Sequence, residues 1–161
     1  MKEIDYGSIC SRLDSLITSC PPVTAFSNAS SLIYNDMNNV NWVGFYFYDQ
    51  ESDKLILGPF QGKPACVEIE RGKGVCGHSL DTGSTVVVPD VLAFPGHIAC
   101  DAESRSEIVI PVKVNGQVAA LLDIDSKTTD RFTQYDATGL EKVARVIEKY
   151  SEKHFPFAFN T

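Results

Sequence analysis

Two apolar runs, Glu107 to Val114 and Gln117 to Ile124, meet across the dipeptide Asn115-Gly116. A two-residue type I′ turn needs positive φ at both central positions, and Asn-Gly supplies it, so this segment constrains the fold more than any other. The reading is a pair of antiparallel core strands. A second hairpin is expected upstream, where the aromatic and β-branched stretch Trp42 to Tyr48 is followed by a polar turn over Asp49 to Asp53 and by Lys54 to Leu57. Short strands are expected at Cys66 to Ile69 and Thr85 to Val88, with Gly58 to Pro64 as a loop. Pro89 to Ser106 carries no periodicity, and long irregular segments in compact domains are usually functional.

Helical spacing frames these strands. Ile9, Leu13, Leu16 and Ile17 share one face of a helix within Lys2 to Ser19, which stops before Pro21-Pro22. Leu32, Ile33 and Met37 predict a shorter helix over Ala29 to Met37, and Gly74 to Leu80 another. Thr133 with Asp136 three residues on forms a capping pair ahead of Leu140, Val143, Ala144 and Ile147. The aromatic tail from His154 to Phe159 contains Pro156 and is expected to pack as an extended arm. Helices at both ends with an antiparallel-rich sheet between them predict an α+β fold. At 161 residues the expectation is one domain, 1–161, with 1–26 as helix and Pro-Pro turn and 154–161 as the C-terminal arm.

Charge narrows the partners. Fourteen basic and 21 acidic side chains give 14 − 21 = −7, which disfavours phosphate backbones and anionic lipid surfaces. No run approaches the ~20 apolar residues of a membrane span, so neither nucleic acid nor membrane is an expected partner. The five cysteines are an odd number, and Met1 to Tyr6 lacks the apolar core of a secretion signal. A reducing, cytoplasmic setting is expected, in which cysteines fill the interior or do chemistry.

Gly72-Lys73-Gly74-Val75-Cys76-Gly77 matches the Gly-x-Gly-x-x-Gly pattern, but Val67 to Arg71 alternates like a half-exposed strand rather than the buried parallel strand that a dinucleotide site needs. The glycines are read as relaxing a turn before a helix. Cys76 then sits near a helix amino end, where free N–H groups favour a thiolate. His97, Cys100, Cys66 and Cys76 lack the paired spacing of structural zinc ligands, so no metal is expected. No Gly-x-Ser-x-Gly is present. Cys10 and Cys20 read as small apolar fillers. Cys66, Cys76 and Cys100 fall near Lys63, Arg71, Lys73 and His97, cations that would activate a thiol. Asp123 and Asp125 end an apolar strand two residues apart, hence on one face, where they share a proton or hold an ammonium group. Glu107 opens the preceding strand and can reach the same end of the sheet.

Gly58-Pro59-Phe60-Gln61-Gly62-Lys63, Gly72 to Gly77, Pro95-Gly96-His97-Ile98-Ala99-Cys100-Asp101, Ser106 to Val109 and Leu122 to Ser126, together with Asn41 to Tyr46, resemble the free methionine-R-sulfoxide reductases, which are GAF-domain enzymes. The resemblance runs from about Ser27 to Ile147. It implies a single GAF domain, a six-stranded antiparallel sheet flanked by helices, commonly as a homodimer. It implies reduction of free L-methionine-(R)-S-oxide, with Cys100 as nucleophile, Cys66 as first choice for the resolving thiol and Cys76 as the alternative. Glu107, Asp123 and Asp125 match the carboxylates of the pocket, with Glu107 or Asp125 as proton donor, and Trp42 and Tyr46 match its aromatics. No cofactor is implied, since electrons come from a thioredoxin-like dithiol. The rival readings are a non-catalytic GAF module that binds a small ligand or senses oxidants, and a thiol peroxidase-like enzyme, which no motif beyond the cysteines supports.

Overall fold

The computed structural model describes residues 2–97 and 100–157. In chain order it contains α1 (Tyr6–Ile17), α2 (Pro22–Asp36), β1 (Trp42–Asp49), β2 (Lys54–Gln61), β3 (Glu68–Glu70), α3 (Gly74–Thr82), β4 (Val86–Val88), a 3₁₀ turn (Val91–Ala93), β5 (Ser106–Val114), β6 (Gln117–Ser126) and α4 (Gln134–His154). The strands form one six-stranded sheet in the order β3-β2-β1-β6-β5-β4, antiparallel throughout. The α+β reading and the expected six-stranded antiparallel sheet flanked by helices are both met. No helix among the described residues is long and apolar enough to cross a membrane.

Alternation along the strands separates two faces. Val43 and Phe45 of β1, Ile108, Ile110 and Val112 of β5, and Leu122 and Ile124 of β6 pack under α1, α2 and α4. Their neighbours Trp42, Tyr46, Val109 and Leu121 point the other way, towards α3 and the loops. A period of two puts each strand's odd and even residues on opposite faces, which is why one sheet floors both a helical core and a pocket. The β5–β6 turn has φ of 53° at Asn115 and 78° at Gly116, the positive pair its dipeptide predicts.

Four elements depart from the sequence expectations. The second helix starts at Pro22 rather than Ala29, because proline at a first helical position loses only an N–H that has no partner there anyway. Strand β2 continues to Gln61, absorbing most of the expected 58–64 loop. It does so through a bulge, since Gly44 pairs with Phe60 and Tyr46 with Leu57, leaving Gly58 and Pro59 opposite one residue. A bulge is where a strand tolerates proline, and the Pro59 carbonyl accepts from Ser30 Oγ of α2 at 3.0 Å. The third strand is only Glu68–Glu70, and α1 begins at Tyr6, capped by the Asp5 carboxylate.

Helix α4 carries the reciprocal Thr133–Asp136 capping box and runs to His154, so the arm starts one residue later than expected. Within that arm Phe157 packs on Phe26 and Phe47, at centroid distances of 5.2 and 5.4 Å. The expected aromatic at Phe159 lies outside the described residues.

Candidate active site

The pocket is floored by two cross-strand rows. Trp42 pairs with Asp125, which pairs in turn with Glu107, and one step along Gly44 pairs with Asp123 and Asp123 with Val109. All three carboxylates therefore project from the face opposite the helical core, at the same end of the sheet. Glycine at 44 is required there. A Cβ would lie 2.6 Å from the Trp42 indole and would also collide with Phe60. The indole lies flat along the strand, stacked at 5.2 Å on Phe60 and 6.1 Å from Tyr46.

Both aromatics also fix the loop above them. Trp42 Nε1 donates to the Lys63 carbonyl at 3.0 Å, and the Tyr46 hydroxyl donates to the Cys66 carbonyl at 2.9 Å. Cys66 is thereby held over the pocket, where it forms a disulfide with Cys100 across 34 residues of sequence and a Cα–Cα distance of 5.6 Å. Both cysteines are half-buried, so the bond is reachable from solvent. Every candidate residue of the sequence reading, namely Cys66, Cys76, Cys100, Trp42, Tyr46, Glu107, Asp123 and Asp125, lines this one pocket or closes it.

Cys76 corrects one expectation. It lies in the first turn of α3, as foreseen, but it is 3% exposed and its Sγ is 3.4 Å from Asp123 Oδ2. Burial first, then the charges of Asp123 and Glu107, hold its pKa well above the ordinary thiol value. Desolvation and two carboxyl groups outweigh the helix terminus, so Cys76 is a protonated thiol rather than a thiolate.

The expected cations are also redistributed. Arg71 turns away to Asp53 at 2.9 Å and Asp81 at 3.7 Å, and Lys63 pairs with Glu103 at 2.7 Å on the surface. Lys73 does line the pocket. His97 Nε2 is 3.7 Å from Glu107 Oε2, but burial lowers the His97 pKa, so it is a neutral neighbour. Local pairing with nearby acids is cheaper for a long cation than desolvation beside a thiol.

Burial pushes all three pocket acids towards their protonated forms. Glu107 is 6% exposed, and burial, followed by the charge of Asp125, pushes its pKa up to about 8 while its contact with Asp123 pulls the other way. Asp123 is raised well above its usual value by burial and then by Glu107. Asp125 is raised by desolvation, then by Asp123 and Asp101. The Cys76 thiol and the Glu107 and Asp123 carboxylates lie within 4.8 Å of one another, a donor set suited to a bound cation. Cys10 and Cys20 sit on the other face of the sheet against the helical core, as fillers would.

Sequence reasoning gave no role to Asn41, Asp101 or Ser104. Asn41 Nδ2 donates at 3.1 Å both to Asp101 Oδ2 and to Ser104 Oγ, joining the start of β1 to the turn that follows Cys100. Asn41 and Asp101 fall within the stretches that carry the resemblance, one residue before Trp42 and one after Cys100, but nothing local signals their contact.

Comparison with known proteins places this geometry. The GAF domain family matches residues 21–150. The free methionine-R-sulfoxide reductase of Escherichia coli is 46% identical over 127 residues, covering 79% of this chain and 76% of that one. The enzyme of the same name from Saccharomyces cerevisiae is 48% identical over 133 residues, covering 79% and 74%. The structure of free methionine-R-sulfoxide reductase from Neisseria meningitidis in complex with its substrate superposes with a TM-score of 0.88 at 40% identity, covering 91% of this chain and 88% of that one. The chain is a GAF domain and belongs to the free methionine-R-sulfoxide reductase family.

Proposed function

We propose that this chain reduces free methionine (R)-sulfoxide to methionine, using Cys100 as nucleophile and Cys66 as resolving thiol. The observation that carries the reading is the Cys66–Cys100 disulfide at a pocket whose floor is the carboxyl row of Glu107 and Asp123, both buried, and the half-buried Asp125. In the reduced protein the Cys100 thiolate attacks the sulfoxide sulfur while Glu107, protonated at neutral pH, hands its proton to the departing oxygen. The bond formed between the Cys100 sulfur and the substrate sulfur then breaks as the protonated oxygen passes from the substrate sulfur to Cys100. The substrate sulfur, two electrons richer, leaves as the thioether of methionine, and Cys100 is left as a sulfenic acid. The Cys66 thiol then attacks that sulfur, a disulfide forms and water leaves. Two thiols and one sulfoxide thus give one disulfide, one thioether and one water.

An external dithiol of the thioredoxin type restores both thiols by exchange at the half-buried bond, with no other cofactor. The ammonium of a free amino acid fits the carboxyl row of Glu107, Asp123 and Asp125, whose oxygens can accept its hydrogen bonds in either protonation state. A residue inside a peptide carries no ammonium, which accounts for a preference for the free amino acid. To this reading we add R-epimer selectivity and a homodimer, which the family resemblance suggests, and a cytoplasmic setting, which the odd cysteine count suggests.

The test is turnover with dithiothreitol, purified protein being offered free R- and S-methionine sulfoxide and the methionine counted, with Cys100→Ser beside it. Methionine from the R epimer in the wild type only is expected. Equal methionine from both proteins, or none from the wild type, removes the enzyme reading and leaves a ligand-binding or redox-sensing module.

A further inference from the structure

We propose that Asn41 is a positioning residue that holds the turn after Cys100, and with it the nucleophile, over the carboxyl row of β5 and β6. The inference rests on the reductase reading above, with Cys100 as the attacking thiol. Asn41 ties three parts of the pocket together. Its backbone N–H donates to the Asp125 carbonyl at 2.9 Å, its chain continues into Trp42, and its side-chain amide reaches the 101–104 turn. That turn is closed on itself, since Ser104 N donates to the Asp101 carbonyl at 3.2 Å and Glu103 N to Asp101 Oδ1 at 2.9 Å. Holding Asp101 Oδ2 and Ser104 Oγ therefore holds the whole turn, to whose first residue Cys100 is bonded.

Other ties hold different parts of this turn. Arg105 Nη1 donates to the Ala102 and Ser104 carbonyls at 2.8 and 3.0 Å, and Arg105 N donates to the Ser126 carbonyl at 2.7 Å. The disulfide to Cys66 holds Cys100 only in the oxidised form, so the link from the turn to β1 in the reduced protein falls to Asn41. Glu103 bridges Lys63 and Lys127 at 2.7 and 2.8 Å, but all three side chains are half exposed, where screening and side-chain entropy leave an ion pair little net strength. Ser104, by contrast, is 4% exposed, so its bond to Asn41 lies where water does not compete. The orientation of the amide follows from its partners, because a carboxylate oxygen facing it only accepts and must meet Nδ2.

A second observation separates positioning from simple strand support. Asn41 Oδ1 is buried without a hydrogen-bond partner. A side chain selected for stability at this position would satisfy both ends of its amide, whereas here one acceptor is stranded so that the donor end meets the turn. The strand start is already secured by the backbone bond to Asp125. The amide thus adds to the placement of Cys100 rather than to the sheet, and displacement of a nucleophile by about 1 Å costs rate out of proportion to stability.

The experiment is a swap, read in a single turnover of the reduced protein without external dithiol. Asn41→Asp sets a carboxylate against Asp101, and adding Asp101→Asn restores a donor across the same gap. Expected for Asn41→Asp is a methionine-release rate lowered roughly 10- to 100-fold at saturating sulfoxide, with half-saturation little changed and the melting temperature near that of wild type. The double variant recovers most of the rate. A wild-type rate in Asn41→Asp, no recovery in the double variant, or rates that merely follow melting temperature across the set would overturn the inference. Failure of the wild type itself to release methionine would instead overturn the reductase reading.

Discussion

Glu107 and Asp125 are in-register partners across β5 and β6, two carboxyl groups side by side on the pocket face of the sheet. Like charges directly opposite each other destabilise a sheet, and burial adds to the penalty, so both carboxyl groups are pushed up, Glu107 to about 8. The same strain suits Glu107 to act as a proton donor.

Because Glu107 donates only while protonated, the rate of methionine release should fall as pH rises through about 8. Glu107→Gln should lower the rate by roughly 10²- to 10⁴-fold and abolish that alkaline fall. Stability shifts in the same sense. The folded chain keeps a proton that the unfolded chain releases near the ordinary carboxyl pKa, so stability is lost progressively as pH rises from there through about 8. Urea midpoints at a series of pH values check this, and persistence of the slope in Glu107→Gln would assign it to another group.

Cys76 should be chemically quiet. Reduced protein treated briefly with iodoacetamide should be labelled at Cys100 and Cys66 and spared at Cys76, because a buried thiol beside carboxyl groups rarely ionises. Peptide mapping decides, and prompt labelling of Cys76 would revive it as a resolving thiol.

Gly44→Ala should harm the pocket before the fold. Its added methyl meets the Trp42 indole and Phe60, an overpacking worth about 1–3 kcal/mol, and Trp42 must move to relieve it. The expected result is weaker substrate saturation with a modest drop in the urea midpoint. Unchanged saturation would mean that Trp42 does not shape the site.

Tyr6→Phe makes the reverse separation. The Tyr6 hydroxyl donates to Asp136 Oδ1 at 2.6 Å inside the helical core, whereas the other oxygen of Asp136 is held by Thr133 and Arg131. Removing the hydroxyl strands a buried acceptor and should cost about 1–3 kcal/mol in denaturation, with turnover unchanged because Tyr6 packs on the far side of the sheet. Loss of turnover at full occupancy of the folded state would contradict this division of faces.

Local chemistry made much of this legible beforehand. The Asn115-Gly116 turn, the Thr133–Asp136 cap and the two-residue spacing of Asp123 and Asp125 are each decided by neighbours in sequence, and each was met. Where tertiary context decides, the reading fell short. Pro22 opens α2 and Pro59 sits in a bulge, two places where proline's missing N–H does no harm, though the sequence alone marks both as breaks. The protonation of Cys76 depends on carboxyl groups that arrive from β5 and β6, and the departure of Arg71 depends on Asp53 and Asp81. The contacts of Asn41 were illegible for the same reason, since its partners lie some sixty residues on.

The central claim is that Cys100 attacks and Cys66 resolves, and one measurement addresses it most directly. Fully reduced protein is mixed with excess free methionine (R)-sulfoxide without any dithiol, and methionine and cysteine states are followed together by rapid quench and mass spectrometry. The account predicts one methionine per chain with a Cys66–Cys100 peptide pair, and in Cys66→Ser the same single methionine with Cys100 trapped as a sulfenic acid. A Cys76–Cys100 pair in the wild type, or methionine release that survives Cys100→Ser, would contradict it.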